Sequence, residues 1–144
     1  MSEELPEDSN VLRYIRPSAV REDGTVDGAA FRLRPNELRL SVNWMECFDE
    51  YSEAERVRRI ARLIRMQIRP TGRFAKLSVG GTRSRVAGIR FLHCPLAAEG
   101  VHQADPSHSE IDGMPPRNSP ESEWVGDLIA ACIEKAFPVL VEVS

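Results

Sequence analysis

The stretch VHQADPSHSEIDG, residues 101–113, holds two of the three histidines in this 144-residue chain, and the third, His93, lies shortly before it. Asp105, Ser107, Glu110 and Asp112 are interleaved with His102 and His108. Neutral imidazole can shuttle a proton or ligate a metal near pH 7, and a neighbouring carboxylate can orient it. His108, Asp105 and His102 are therefore the candidate catalytic groups. Cys94, His102 and His108, with His93 or Asp105 as a fourth ligand, also supply the atom types of a zinc site. Their spacing fits no zinc module, since neither a paired Cys-x-x-Cys nor His-Glu-x-x-His is present. No cofactor or metal ligand is assigned, and zinc stays as an alternative. A structural reading stands beside both: Asp105 before Pro106 starts a turn, Ser107 caps it, and His108 is a hydrogen-bonded loop residue.

A second constellation is cationic. From Arg56 to Ala98 there are eleven Lys and Arg residues and no Asp or Glu, whereas acids crowd the first ten residues and the stretch from Glu99 to Asp127. Arg58, Arg62, Arg65 and Arg69 recur at spacings of four, three and four, which would line them along one helical face. Arg73, Arg83 and Arg85 follow near glycine-containing turns. Guanidinium forks suit carboxylates and phosphates, so these seven arginines are the candidate anion- or partner-binding residues. A net charge of −3 argues against a dedicated non-specific DNA binder, and few aromatics accompany the arginines, which disfavours an RNA-stacking platform. The plainer alternative is that the acidic flanks fold over the basic segment and neutralise it.

Two weaker motifs are set aside. Gly80-Gly81-Thr82-Arg83 has no Gly-Lys-Ser/Thr ending and reads as a hairpin turn rather than a phosphate loop. A Cys47–His93 nucleophile pair has no local support, and Cys132 lies on an apolar stripe.

The elements that must position these groups follow from periodicity. Residues 1–10 read as a flexible acidic tail. Val11–Ile15 has strand composition, and the two Asp-Gly pairs of 21–28 mark turns. Ala30–Arg34 and Leu38–Trp44 alternate and read as a β-hairpin, with Trp44 in the core. Ser52 with Glu55 opens a helix predicted to run to Arg69, with Val57, Ile60, Ala61, Ile64 and Ile68 as its apolar stripe. Phe74–Val79 and Val86–His93 read as a second hairpin about Gly80-Gly81. Residues 94–118 read as a long irregular loop. Ser119-Pro120-Glu121 starts a second helix whose stripe is Val125, Ile129, Cys132, Ile133 and Ala136, and residues 139–143 (VLVEV) suit a last strand.

The expected architecture is a single compact α+β domain over 11–144, with a mainly antiparallel sheet of about five strands and two main helices. Three unpaired cysteines and the lack of an apolar leader or span lead to the expectation of a cytoplasmic, prokaryote-like protein with no membrane contact. The favoured function is a small accessory protein, not an enzyme, that docks an anionic partner through the Arg-rich helix and hairpin. That partner would be an acidic protein surface or a nucleic acid. The alternative is a hydrolase or nuclease-like enzyme using His102, Asp105 and His108, with or without a metal. Nothing in the sequence specifies an oligomeric state.

Overall fold

A computed structural model describes residues 3–139. Along the chain run β1 (Glu3–Glu4), β2 (Asn10–Ile15), β3 (Leu40–Trp44), α1 (Glu53–Leu63), β4 (Arg73–Ser78), α2 (Val79–Arg85), β5 (Arg90–His93), β6 (His108–Asp112), α3 (Pro120–Ala131) and β7 (Lys135–Pro138). The seven strands described form one sheet in the order β1-β5-β6-β3-β2-β4-β7, and every neighbouring pair is antiparallel. The α+β class and the antiparallel sheet are as expected from the sequence. Seven strands and three helices replace the expected five and two.

Alternation along β2 explains why both faces of the sheet are covered. Val11 and Ile15 join Leu40, Val42, Leu77, Phe91 and Ile111 in the larger apolar cluster, roofed by Val79, Val125 and Ile129 of α2 and α3. Leu12 and Tyr14 point the other way and pack with Phe74, Met45, and Val57 and Ile60 of α1. Ser52 starts α1 as the capping pattern requires, its hydroxyl accepting from the Glu55 amide at 3.3 Å. Trp44 is half-buried against the larger cluster.

Several expectations are corrected. The Ala30–Arg34 strand is absent: Gly28–Phe31 is a 3₁₀ turn capped by Asp27, and β3 pairs instead with β2 and β6. Phe31 and Leu33 are buried as their alternation implied, but as plugs between sheet and α3. The crossing there is so close that a Cβ on Gly126 would stand 2.6 Å from the Gly28 carbonyl oxygen. Gly80 and Gly81 are not a hairpin turn. Ser78 caps α2 by accepting from the Gly81 amide, and Val79, Thr82 and Val86 bury one side of it. α1 stops at Leu63, because Ile64 turns extended and Ile64, Met66 and Ile68 pack along the smaller cluster. Arg69, which precedes Pro70 and so disfavours helix, donates its amide to the Tyr14 hydroxyl at 2.7 Å. α3 ends at Ala131, so Ala136 of its expected stripe lies instead on β7, opposite Ala75.

The acidic N-terminal segment is no loose tail over residues 3–9. Glu3 and Glu4 pair with His93 and Leu92, and Leu5 is buried. The 94–118 stretch contains β6, and two isolated bridges, Leu96–Asp105 and Glu99–His102, give the part before it a hairpin-like form. Of the expected strand over 139–143, residues 140–143 lie outside the described residues. No described helix is long and apolar enough to cross a membrane.

One feature of the sheet sets up the site. β2 follows β4 for six register pairs but meets β3 at only two, Val11–Trp44 and Leu12–Asn43. Beyond them the strands part.

Candidate functional site

Arg13 occupies the parting. It is the one charged residue of β2, and it is only 8% exposed. Its Nε donates to the Ala30 carbonyl at 2.8 Å and its Nη1 to the Ser41 carbonyl at 2.7 Å. The guanidinium thus serves the Ser41 carbonyl, which a continued β2–β3 ladder would have served, and ties the Gly28–Phe31 turn to the sheet. It pairs with no carboxylate among the described residues. Burial, and secondarily the charge of Arg34, push its pKa down to about 10, with Glu37 offsetting this only in part. A buried cation with no carboxylate in direct contact is costly unless something anionic approaches it.

Beside Arg13 opens a cavity of about 270 Å³. Arg34, Arg65 and Glu37 line it together with Arg13. Asn43, Asp105 and His108 form a polar wall, and Ile64, Met66 and Leu96 add apolar surface. Burial, then the charge of Arg16, lowers the pKa of Arg34, partly offset by Glu37. Glu37 accepts from the Arg34 amide at 2.7 Å. Arg65 ties the 94–106 segment to the end of α1 by donating to the Ala97 and Gln103 carbonyls. Its guanidinium also stands 3.7 Å from Glu99.

The polar wall is a connected network. Asp105, 1% exposed, accepts from the Ser107 amide at 3.0 Å, the Ser107 hydroxyl at 2.7 Å and Asn43 Nδ2 at 2.9 Å. Asn43 Nδ2 also donates to Ser107 Oγ at 2.9 Å. All of Asp105's bonds come from neutral donors, and no cationic side chain pairs with it among the described residues. His108 lies opposite Asn43 in the β3–β6 register. Its Nδ1 stands 2.8 Å from the Cys94 carbonyl, which can only accept, so Nδ1 carries the proton. Nε2 then faces Ser41 Oγ at 3.4 Å.

The candidate residues read from the sequence therefore divide. Asp105 and His108 share the cavity, and Arg65 joins them from the arginine set. His102 sits in an exposed turn away from the cavity lining. His93 Nε2 is 2.7 Å from the Pro106 carbonyl, with its ring edge-on to Trp44. The arginines form no single stripe, because Arg65 and Arg69 lie beyond the end of α1. Arg58 and Arg62 approach Glu55. Arg73 donates to the Gly72 carbonyl, Arg83 pairs with Glu7, and Arg85 sits in the last turn of α2. No group of three or more His, Cys, Asp and Glu side chains among the described residues could hold a metal ion. Burial, then the charges of Asp105 and Asp49, raise the Cys47 pKa, the wrong direction for a thiolate nucleophile.

Arg13, Arg34, Ser41 and Asn43 were not singled out by sequence reasoning. One signal for Arg13 was present: a lone charge inside the apolar run Val11-Leu12-Arg13-Tyr14-Ile15. The other three are recruited by tertiary pairing and carry no local mark. A second depression, about 530 Å³, lies between the 21–28 turn and the end of α3, but none of its lining residues is a buried charge. No family model, curated protein or solved structure matches the chain.

Proposed function

We propose that the protein binds a small organic anion in the cleft where β2 and β3 part. The observation that carries this reading is the buried Arg13 guanidinium, which touches no carboxylate among the described residues and lines a cavity in which Arg34 and Arg65 outnumber the one further acid on that side, Glu37. Binding an anion there relieves both the burial of the Arg13 charge and its repulsion with Arg34. The cavity falls just below the roughly 300–1,000 Å³ typical of drug-sized ligands, which suits a compact carboxylate. This keeps the anion recognition expected from the sequence but moves it from an exposed arginine face to a partly open cleft. Docking of an acidic protein or a nucleic acid across Arg58, Arg62, Arg73, Arg83 and Arg85 is less favoured, since Arg58 and Arg83 already face Glu55 and Glu7.

A hydrolytic reading rests on the Ser41–His108 pair, in which the Cys94 carbonyl orients the imidazole toward a hydroxyl. Its test is acylation of Ser41 by an activated ester.

The binding reading is tested by calorimetric titration with 4-methylpentanoate, phenylacetate and inorganic phosphate. We expect a carboxylate to bind with a stoichiometry of one, and Arg34→Gln to weaken it about tenfold or more, the scale of one charge-assisted hydrogen bond. No binding of any of the three, or binding indifferent to Arg34→Gln, would overturn it.

A further inference from the structure

The cavity holds two buried charges of opposite sign that do not meet. Among the described residues no carboxylate touches Arg13 and no cation touches Asp105, yet both line the same 270 Å³ space. An ion pair would neutralise both, and buried charges in proteins are normally paired. Instead each is held in place by neutral groups: Arg13 by the Ala30 and Ser41 carbonyls, Asp105 by Asn43 and Ser107. Arg13 and Arg34 line the cavity together with Glu37, whose charge offsets theirs in part. Beside the Asp105 carboxylate, Asn43 has spent both its N–H groups on Asp105 and Ser107, so its Oδ1 can only accept. His108, with its proton on Nδ1, turns Nε2 to the Ser41 hydroxyl at 3.4 Å.

From this we infer that the ligand is a zwitterion, an α-amino acid with an apolar side chain. Its carboxylate binds Arg13 and Arg34. Its ammonium is the missing cation of Asp105, with Asn43 Oδ1 as a further acceptor. Its side chain lies against Ile64, Met66 and Leu96. A plain carboxylate satisfies only the arginine end and leaves the Asp105 charge uncompensated. The inference rests on the anion-binding reading and deepens it by naming the second charge that the ligand carries.

The test compares matched pairs on the unmodified full chain by titration calorimetry: leucine against 4-methylpentanoate, and phenylalanine against 3-phenylpropanoate. We expect at least one amino acid to bind about tenfold or more tightly than its deaminated partner. Asp105→Asn should erase that preference while leaving the carboxylate affinity within about threefold. Deaminated acids that bind as well as the amino acids would overturn the inference and leave the anion-binding reading standing. Failure of every acid, with or without an amine, would overturn both. The wild-type pairs decide the matter even if Asp105→Asn does not fold.

Discussion

Arg13 Nη1 donates to the Ser41 carbonyl at 2.7 Å across the gap left where the β2–β3 ladder stops after two register pairs. One side chain thus closes a break in the sheet and supplies the charge of the cleft that the break creates. Because Nε is committed to the Ala30 carbonyl as well, the guanidinium plane is fixed before any ligand arrives, which limits the ordering cost of binding.

Replacing Arg13 should therefore damage stability and binding together. Arg13→Met leaves the Ala30 and Ser41 carbonyls without their donor, and we expect a loss of about 1–3 kcal/mol in urea unfolding, the scale of unsatisfied buried acceptors. Arg13→Lys should not restore it, since a single ammonium does not present the forked donors that reach both carbonyls. A lysine variant as stable as wild type would refute this account of the gap.

Arg65 holds the 94–106 segment over the cleft through the Ala97 and Gln103 carbonyls. In Arg65→Ala, hydrogen exchange at the Leu96 and Asp105 amides, which bond each other's carbonyls at 2.9 Å, should accelerate about tenfold. Amides of β2 facing β4 should not change. Uniform acceleration over the whole sheet would instead mean global destabilisation.

The imidazole of His108 should be found in the Nδ1–H form. Nitrogen-15 NMR of the ring near pH 8 reads this directly, and Nε2–H would show that the contact with the Cys94 carbonyl is not the one that orients it.

Acid should weaken the protein through carboxylates clamped by cations. Hydrogen bonds from Lys76 and Lys135 at 2.8 and 3.1 Å hold the Glu53 pKa below its ordinary value near 4.5. Hydrogen bonding from Arg90, aided by Arg39, lowers that of Asp112. A carboxyl depressed in the folded state contributes stability above its unfolded pKa and loses it as pH falls through the folded one. Stability should be level near neutrality and decline below about pH 4.5. Glu53→Gln should lower the urea midpoint at pH 7 and hardly alter it at pH 3. The neutral-pH cost should stay under about 1 kcal/mol, because the group is largely in water. Equal losses at the two pH values would contradict the assignment.

How much of this was legible in the sequence depends on the range of the interaction. β2, β3 and the starts of α1 and α3 follow from alternation and from Ser52 and Pro120, which act within a few residues. The Ser119 hydroxyl, by contrast, donates back to the Pro116 carbonyl and does not cap α3. The continuation of α1 past Leu63 was misread because Ile64 and Ile68 keep helical spacing, yet their burial along the smaller cluster is met by extended chain. α2 was missed because two glycines outweighed Ser78 as a cap and the spacing of Val79, Thr82 and Val86. Phe31 and Leu33 alternate like a strand but serve as plugs. At the site, Asp105 and His108 were visible from their chemistry alone. Their partners Asn43 and Ser41 become neighbours only through the β3–β6 register, and Arg34 only through the way the chain passes the cleft. Histidine clustering marked a loop of which Asp105 and His108 line the cavity, while His102 is near them in sequence and not in space.

The most direct test of the central claim is amide and arginine side-chain NMR of the full chain during titration with leucine. We expect the largest shifts at Arg13, Arg34, Asn43, Leu96 and Asp105, saturating together, with a slowed and displaced Arg13 guanidinium signal. Shifts confined to Arg58, Arg62 and Arg83 on the outer surface, or none at the Arg13 guanidinium, would contradict it.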